Sequence, residues 1–357
     1  MQPVAINIDG DDEEIFESYP QAKPAETGGY VQIERLTSGH VSMSFKHSLL
    51  LLLLSGLTLA CGRNVSEHRI EGVTMGTYYL VKIADAPKNL KTNELQDGMD
   101  SLLHEINRSM STYDKDSELS RINRSRKPEP IPISPGLYTV LNEAVKISRL
   151  SNGAFDITVG PLVNLWGFGP ELRDDTVPAS VDIQLALARV GMDKIELSDS
   201  DSPAFRKLHP EVYLDLSAIA KGYGVDRLAE HLEIRGIKNY MVEIGGEMRV
   251  KGVNARGKPW RIAIEEPSPA GRNVFSVIAP GDRAVATSGD YRNYFEWDGR
   301  RYSHTIDPRN GRPVDHALAS VTVLANNCMH ADAMATALMV LGPKQGYDLA
   351  VAEKLPV

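Results

Sequence analysis

Cysteine is scarce in this chain: two occur in 357 residues, Cys61 and Cys328. Disulfides are therefore not what holds the fold. An excess of basic charge is also missing. Lys and Arg total 39 against 47 Asp and Glu, for a formal net charge of −8 and a pI near 5.7. That balance gives no electrostatic footprint for nucleic acid. Two nucleotide signatures are absent too: no Gly-x-Gly-x-x-Gly follows a strand pattern and no Walker loop occurs, so the two commonest nucleotide folds are unsupported. What remains is a length sufficient for one large domain or two ordinary ones, with no wide low-complexity gap and ample material for a core.

The N-terminal part has its own logic. Leu49 to Leu54 form an unbroken leucine run that continues through Ser55-Gly-Leu-Thr-Leu-Ala-Cys61. The run is too short to span a bilayer comfortably and ends on a small residue before a cysteine, as in the core and processing site of a lipoprotein signal peptide. Met43-Ser-Phe-Lys46-His47 supplies the short basic lead-in. Residues 1–42 carry eight acidic residues against Lys23 and Arg35, the wrong sign for an export leader. The expected organisation is a non-native or mis-assigned extension over 1–42, a lipoprotein signal peptide over 43–60, and a folded domain over 61–357 beginning at a lipidated Cys61. Cys328 is then the one thiol left, expected as a small buried residue with no partner for an intramolecular disulfide.

Along the folded part, helix and strand patterns alternate. Tyr78 to Ile83 reads as a strand, and Leu95 to Met110 as an amphipathic helix. Leu137 to Leu150 reads as a second helix stopped by Asn152-Gly153. Ile183 to Val190 reads as a shorter helix, with strands over Lys194 to Leu197 and Glu211 to Leu214. Ile219, Tyr223, Leu228, Ala229 and Leu232 mark a helix that stops at Gly236. Strand signals dominate from Tyr240 to Val323, punctuated by glycines. Two helices, Met329 to Leu341 and Lys344 to Glu353, close the chain. The order predicts an α+β fold, mostly antiparallel sheets with packed helices.

Polar clusters interrupt the pattern. In Gly153-Ala-Phe-Asp-Ile-Thr-Val-Gly160 the plain reading is a strand or a turn in which Asp156 caps the next helix. Asp215 or Ser217 is placed for a helix N-cap, but a cap does not account for Lys221 followed by Gly222 and Gly224 in an otherwise good helix. Those residues suggest a backbone kept clear for a close neighbour and a cation aimed at an anion. Ser303-His-Thr-Ile-Asp-Pro-Arg-Asn-Gly311 sets His304 and Asp307 at the mouth of a turn. Asp332 and Thr336 fall four residues apart and so share one helix face. Alanines at 331, 333, 335 and 337 flank them, so a carboxylate and a hydroxyl form a hard oxygen pair suited to Mg²⁺ on a phosphorylated ligand.

These segments together resemble the ApbE family of flavin transferases, FAD:protein FMN transferases. The resemblance runs in order through Gly72-Val-Thr-Met-Gly-Thr77, Ser111-Thr-Tyr113, Gly153-Ala-Phe-Asp156, Asp215-Leu-Ser-Ala-Ile-Ala-Lys-Gly222 and Glu243-Ile-Gly-Gly-Glu247. It continues through Ala286-Thr-Ser-Gly-Asp290 and Ser303-His-Thr-Ile-Asp-Pro308 to Ala331-Asp-Ala-Met-Ala-Thr-Ala337. It implies a fold of tandem T-fold-like halves. It also implies that Met75, Tyr113, Ala154, Phe155, Asp156, Asp215, Lys221 and Ile306 line an FAD pocket, and that Asp332, Thr336 and the backbone carbonyl of Ala218 hold Mg²⁺. Tyr113 and Phe155 can stack on aromatic rings, Asp156 and Asp215 can accept hydrogen bonds, and Lys221 can face the diphosphate.

The reaction so implied is attack of a protein Thr or Ser hydroxyl on the FMN-side phosphorus of FAD, with AMP leaving. His304 is the expected general base, and Asp307 is placed to orient it. An Mg²⁺-dependent FAD pyrophosphatase would use the same pocket with water as nucleophile, and a flavin-holding lipoprotein without turnover is the third reading. The resemblance further implies acceptor flavoprotein subunits of membrane redox complexes as partners, and a lipid-anchored position facing the periplasm at the inner membrane. Gly62 supplies no retention aspartate, which leaves the choice of membrane open. The chain stops at Leu355-Pro-Val357, short of the further strand that family members usually add, so a truncated C-terminus is expected.

Overall fold

The computed structural model describes residues 6–7, 66–170, 176–199, 202–268, 273–291 and 293–357. The signal peptide over 43–60, Cys61 and all of the 1–42 extension except Ile6–Asn7 lie outside the described residues. Among the described residues no helix is long and apolar enough to cross a membrane.

A six-stranded antiparallel sheet forms the centre, in the order β16-β11-β8-β7-β3-β2. Its strands are β2 (Glu67–Thr74), β3 (Thr77–Ala84), β7 (Tyr240–Ile244), β8 (Glu247–Lys251), β11 (Ala284–Gly289) and β16 (Ser320–Ala325). Side chains alternate across a strand, and the burial follows that alternation. Tyr79, Val81 and Ile83 of β3 and Tyr240, Val242 and Ile244 of β7 face a core shared with helices. Met241, Met248 and Val250 face the other way, onto Trp260 and Ile262. Ile262 belongs to a three-stranded antiparallel sheet of β1 (Ile6–Asn7), β9 (Ile262–Glu265) and β10 (Val274–Ile278).

On the helical side lie α1 (Thr92–Met110), α3 (Pro135–Leu150), α6 (Ala220–Ile234) and α7 (Cys328–Ala352). Helix α1 is amphipathic as expected, burying Leu95, Met99, Leu103, Ile106 and Met110 at three- and four-residue spacing. Helix α3 ends where Asn152 and Gly153 both take positive φ, the usual left-handed exit. Helix α7 is two helical segments in effect, because Gly342 sits at φ 75° and Pro343 follows it. Further elements are α2 (Glu118–Arg124), α4 (Gly160–Leu165), α5 (Ser180–Leu187) and a sheet of β4 (Ile131–Pro132), β6 (Ala204–Lys207) and β5 (Ile195–Ser198); Leu119, Ile122, Ile195 and Phe205 share one core with Leu137 of α3 and Ala331 of α7. Two hairpins complete the fold, β12 (Tyr294–Trp297) with β13 (Arg300–Ser303) and β14 (Ile306–Asp307) with β15 (Arg312–Pro313).

The fold is thus α+β with mostly antiparallel sheets, and it differs from the sequence reading in two places. The expected strand over Glu211 to Leu214 reduces to a single parallel bridge between Val159 and Tyr213, while β5 pairs with β6. The Asn123 side chain explains this, because its amide donates to the Leu214 carbonyl (2.9 Å) and accepts from the Leu214 N–H (2.7 Å). One side chain thereby takes the place of a neighbouring strand. In addition, neither Asp215 nor Ser217 caps α6. The helix starts after Ile219 with no side-chain cap, and the Asp215 carboxylate instead accepts from the Ser217 N–H at 2.8 Å in a local turn.

Candidate active site

The site grows from the crossing of α6 and α7. A Cβ placed on Gly222 would lie 2.4 Å from the Cys328 carbonyl oxygen and 2.8 Å from the Met329 Cα, so only glycine lets the two helices approach this closely. The close neighbour anticipated beside Lys221 is therefore the first turn of α7. That turn is fixed from both sides. The Asn327 side chain accepts from the His330 N–H at 2.8 Å, and the buried Asp226 of α6 accepts from the N–H groups of Cys328 and Met329, both at 2.9 Å. Four backbone donors are orphaned at any helix start, and here two of them are bound by the neighbouring helix. Cys328 is fully buried, and burial pushes its thiol well up, away from reactivity.

One turn further along, Asp332 points back at α6 and accepts from the Gly222 N–H at 3.0 Å. The first helical bond of α6 runs from the Tyr223 N–H to the Ile219 carbonyl at 3.1 Å, which leaves the Ala218 carbonyl just outside the ladder. Asp332 is buried and Thr336, a turn later, is half-buried. Asp332, Thr336 and the Ala218 carbonyl are all hard oxygen donors, and their chemistry fits a divalent cation such as Mg²⁺. Among the described residues no group of three or more His, Cys, Asp or Glu is gathered for a metal; this set has one carboxylate only.

Lys221 lies between two buried carboxylates, 3.4 Å from Glu247 and 3.7 Å from Asp332, and also reaches the Ser217 carbonyl at 3.3 Å. Burial opposes its charge, but Asp332 and Glu247 outweigh burial and hold the ammonium above its usual range. Burial pushes Glu247 up to about 8 despite the lysine, and raises Asp332 against the opposing Lys221 charge and the Gly222 N–H. The Glu247 Oε2 atom is buried without a hydrogen-bond partner. Glu247 is a site residue that sequence reasoning did not select. In the register of β7 and β8 it lies opposite Ile244, as Arg249 lies opposite Val242 and Lys251 opposite Tyr240. The charged side of β8 therefore faces the helices, where Arg249 and Lys251 find Asp226 and Glu233.

The other expected pocket residues surround this centre unequally. Met75 tops the β2–β3 hairpin at φ 50°, followed by Gly76 at φ 71°. A two-residue turn with positive φ at both positions favours Asn-Gly, so Met75 carries a strain of about 1 kcal/mol or more. Its Cε would lie 3.0 Å from a Cβ on Gly224, which places it against α6 beside the lysine. Tyr113 is 72% exposed on the loop after α1, with burial and the Asp215 charge raising its hydroxyl, so it offers an open ring next to Asp215. Asp215 and the Asp156 segment run side by side, since the Asp215 N–H donates to the Ile157 carbonyl at 2.8 Å. Asp156 accepts from the Thr158 N–H at 2.7 Å and its hydroxyl at 2.6 Å. Burial raises it while those bonds oppose the shift.

Two expected residues are placed otherwise. Phe155 is 3% exposed, in the core with Ile157 and Leu137, so its ring is no open stacking surface, and Ala154 beside it is buried too. Ile306 is likewise buried, among Leu162, Trp166, Ile183 and Phe295.

His304 follows β13. Its Nδ1 lies 3.0 Å from the Asn293 carbonyl, which also accepts the His304 backbone N–H at 3.1 Å. A carbonyl can only accept, so the neutral ring carries its proton on Nδ1 and its lone pair on Nε2. Burial pushes the imidazole down to about 4, against the Asn293 hydrogen bond, with the Asp290 charge raising it and the Lys221 charge lowering it. Phe168 stands edge-on to the ring at 6.3 Å, at the end of an aromatic series through Phe295 and Tyr302 to Trp166. Asp307 does not orient this histidine as expected. Its carboxylate is bound by the Arg309 guanidinium at 2.8 Å on both oxygens and by the Arg309 N–H at 2.9 Å, closing its own turn.

The arrangement thus combines a neutral imidazole with a free ring nitrogen, a buried lysine among carboxylates, a hard oxygen set and an exposed aromatic ring. The sequence profile of the ApbE family matches residues 75–357. A Vibrio cholerae protein named FAD:protein FMN transferase is 50% identical over 307 residues, covering 86% of this chain and 90% of that one. A Haemophilus influenzae protein of the same name is 44% identical over 329 residues, covering 91% and 92%. The solved structure of the flavin transferase ApbE from Vibrio cholerae superposes with a TM-score of 0.77 at 49% identity, covering 82% of this chain and 92% of that one. Matches of this identity and extent establish common descent as well as common fold: the chain belongs to the ApbE family.

Proposed function

We propose that this protein transfers the FMN moiety of FAD to a Thr or Ser hydroxyl of a target flavoprotein and releases AMP. The acceptor oxygen attacks the FMN-side phosphorus, the bond from that phosphorus to the bridging oxygen breaks, and AMP departs with that oxygen. The observation that carries this reading is the state of His304. Its Nδ1 is committed to the Asn293 carbonyl, and its depressed pKa keeps the ring neutral at physiological pH. Nε2 is then free to take the hydroxyl proton. An anionic diphosphate bound nearby raises the imidazole toward the working pH and makes it a stronger base.

Around that base, Lys221 supplies positive charge for the diphosphate, Tyr113 an exposed ring for stacking, and Asp215 and Asp156 acceptors for hydroxyl and amino groups. Asp332, Thr336 and the Ala218 carbonyl are the residues that would hold Mg²⁺. When bound, that ion neutralises charge on the diphosphate and the departing phosphate.

Export and lipidation at Cys61 belong to the same proposal, supported by the leucine run at 49–54, the basic lead-in at Lys46 and the small residue before Cys61. They put the enzyme at a membrane surface facing the periplasm, within reach of flavoprotein subunits of membrane redox complexes. Mass spectrometry of the natively produced protein tests this part: a diacylated N-terminal Cys61 is expected, and an unlipidated chain retaining residue 1 contradicts it. The catalytic part is tested with His304→Ala. The variant should bind FAD with near-normal affinity yet leave a flavoprotein subunit non-fluorescent in a denaturing gel; near-normal labelling removes His304 from the mechanism.

A further inference from the structure

Lys221 occupies a place that a metal ion would contest. Its ammonium lies 3.7 Å from the Asp332 carboxylate and 3.3 Å from the carbonyl of Ser217, the residue before Ala218. A divalent cation bound to Asp332 would put like charges within a few ångströms in a buried setting, where their repulsion is poorly screened. The lysine must then give up Asp332, and a buried ammonium needs another anion to keep its charge. Glu247 is the second carboxylate beside it, at 3.4 Å. It is 1% exposed, and its Oε2 atom has no hydrogen-bond partner. An acceptor buried without a donor is costly, and the Lys221 ammonium, already 3.4 Å from the other Glu247 oxygen, is a cation within reach of it.

We propose that Glu247 is the alternative counter-ion for Lys221, which draws the ammonium onto both of its oxygens when a divalent cation takes Asp332. Glu247 is a positioning residue here, acting on the metal site through the lysine and not as a ligand. The inference rests on the reading of Asp332, Thr336 and the Ala218 carbonyl as the cation's holders.

The test is binding of Mn²⁺, followed by the loss of the free-ion electron paramagnetic resonance signal, at mildly alkaline pH with no FAD present. Glu247→Gln leaves Lys221 with Asp332 as its anion, so the affinity should fall by about ten-fold, the equivalent of a 1.4 kcal/mol coupling. Glu247→Asp keeps the charge on a shorter arm and should stay within a few-fold of wild type. Lys221→Met combined with Glu247→Gln removes the competitor and should recover most of the lost affinity. An unchanged affinity in Glu247→Gln overturns the proposal. So does an equal loss in the single and double variants, the pattern of a direct ligand, and so does a loss in Glu247→Asp as large as in Glu247→Gln. Melting of each metal-free variant shows that the comparison is made on folded protein. Absence of Mn²⁺ binding in the wild type would instead sink the metal reading itself.

Discussion

Gly222→Ala is the substitution that most directly probes how α6 and α7 build the site. In an ordinary helix interior the change stabilises by about 1 kcal/mol, because alanine loses less conformational freedom on folding. Here the added Cβ would sit 2.4 Å from the Cys328 carbonyl oxygen, whereas ordinary contact begins at 3.4 Å, so the difference of 1.0 Å has to be absorbed. The obstructing atoms are backbone at the start of α7, held by Asn327 and Asp226, and cannot rotate away as a side-chain tip would. Overpacking of this kind costs about 1–3 kcal/mol, which cancels the propensity gain and leaves a net loss of up to about 2 kcal/mol. The functional cost is larger. A shift of that size stretches the 3.0 Å bond between the Gly222 N–H and Asp332 beyond hydrogen-bonding range, and an ångström of misplacement can lower a rate by about 100-fold. Urea denaturation and an FMN-transfer assay measure the two effects. Gly224→Ala is the control, since its nearest neighbours would be the flexible side-chain ends of Ile244 and Met75 at 3.0 Å and Leu103 at 3.9 Å, and it should be far milder on both counts. A Gly222→Ala protein that is as stable and as active as wild type would refute the reasoning.

The remaining expectations concern charge. With His304 depressed to about 4 from its ordinary 6.5, kcat/KM should hold level as pH falls through 6.5 and decline only toward about 4; a decline centred on 6.5 contradicts the assignment. The unfolded chain binds the extra proton between those two values, so this group makes folding less favourable as pH falls from 6.5 to 4, and the acid limb of a denaturation profile should flatten in His304→Ala. Asp332→Ala should sharply raise the Mg²⁺ concentration needed for half-maximal transfer, and an unchanged requirement removes it from the metal set. Asp226→Ala strips two backbone N–H groups and the Arg249 guanidinium of a buried acceptor. A loss of about 3–5 kcal/mol by urea denaturation is expected; a loss under about 1 kcal/mol would show that the carboxylate does not hold α7 in place.

Much of the framework was legible because its signals are local. The spacing of Leu95, Met99, Leu103, Ile106 and Met110 marks α1, Asn152-Gly153 marks the end of α3, and Gly342-Pro343 marks the kink in α7. The polar members Lys221, Asp332 and His304 stand out from their surroundings in the same local way. What could not be read depends on partners distant in sequence. Asn123 satisfies the backbone of Leu214 from 91 residues away, so a strand-like stretch never joins a ladder. Phe155 and Ile306 carry the right residue types for a pocket, yet apolar side chains serve core and ligand alike, and here the core claims them. Glu247 escaped for the opposite reason. Glu-Met-Arg-Val-Lys alternates like a half-buried strand whose charged side faces water, but in this fold that side packs on α6 and α7. Only the pairing register of β7 with β8 reveals it.

The central claim is that this site moves FMN onto a protein. Intact-mass spectrometry of a flavoprotein subunit, recorded after incubation with the enzyme, FAD and Mg²⁺, tests it most directly. The account expects the acceptor to gain the mass of one FMN in phosphoester linkage, mapped to a Thr or Ser, with AMP released in equal amount and no gain when His304→Ala replaces the enzyme. An unmodified acceptor accompanied by free FMN and AMP would contradict it, because water would then be the nucleophile that His304 serves.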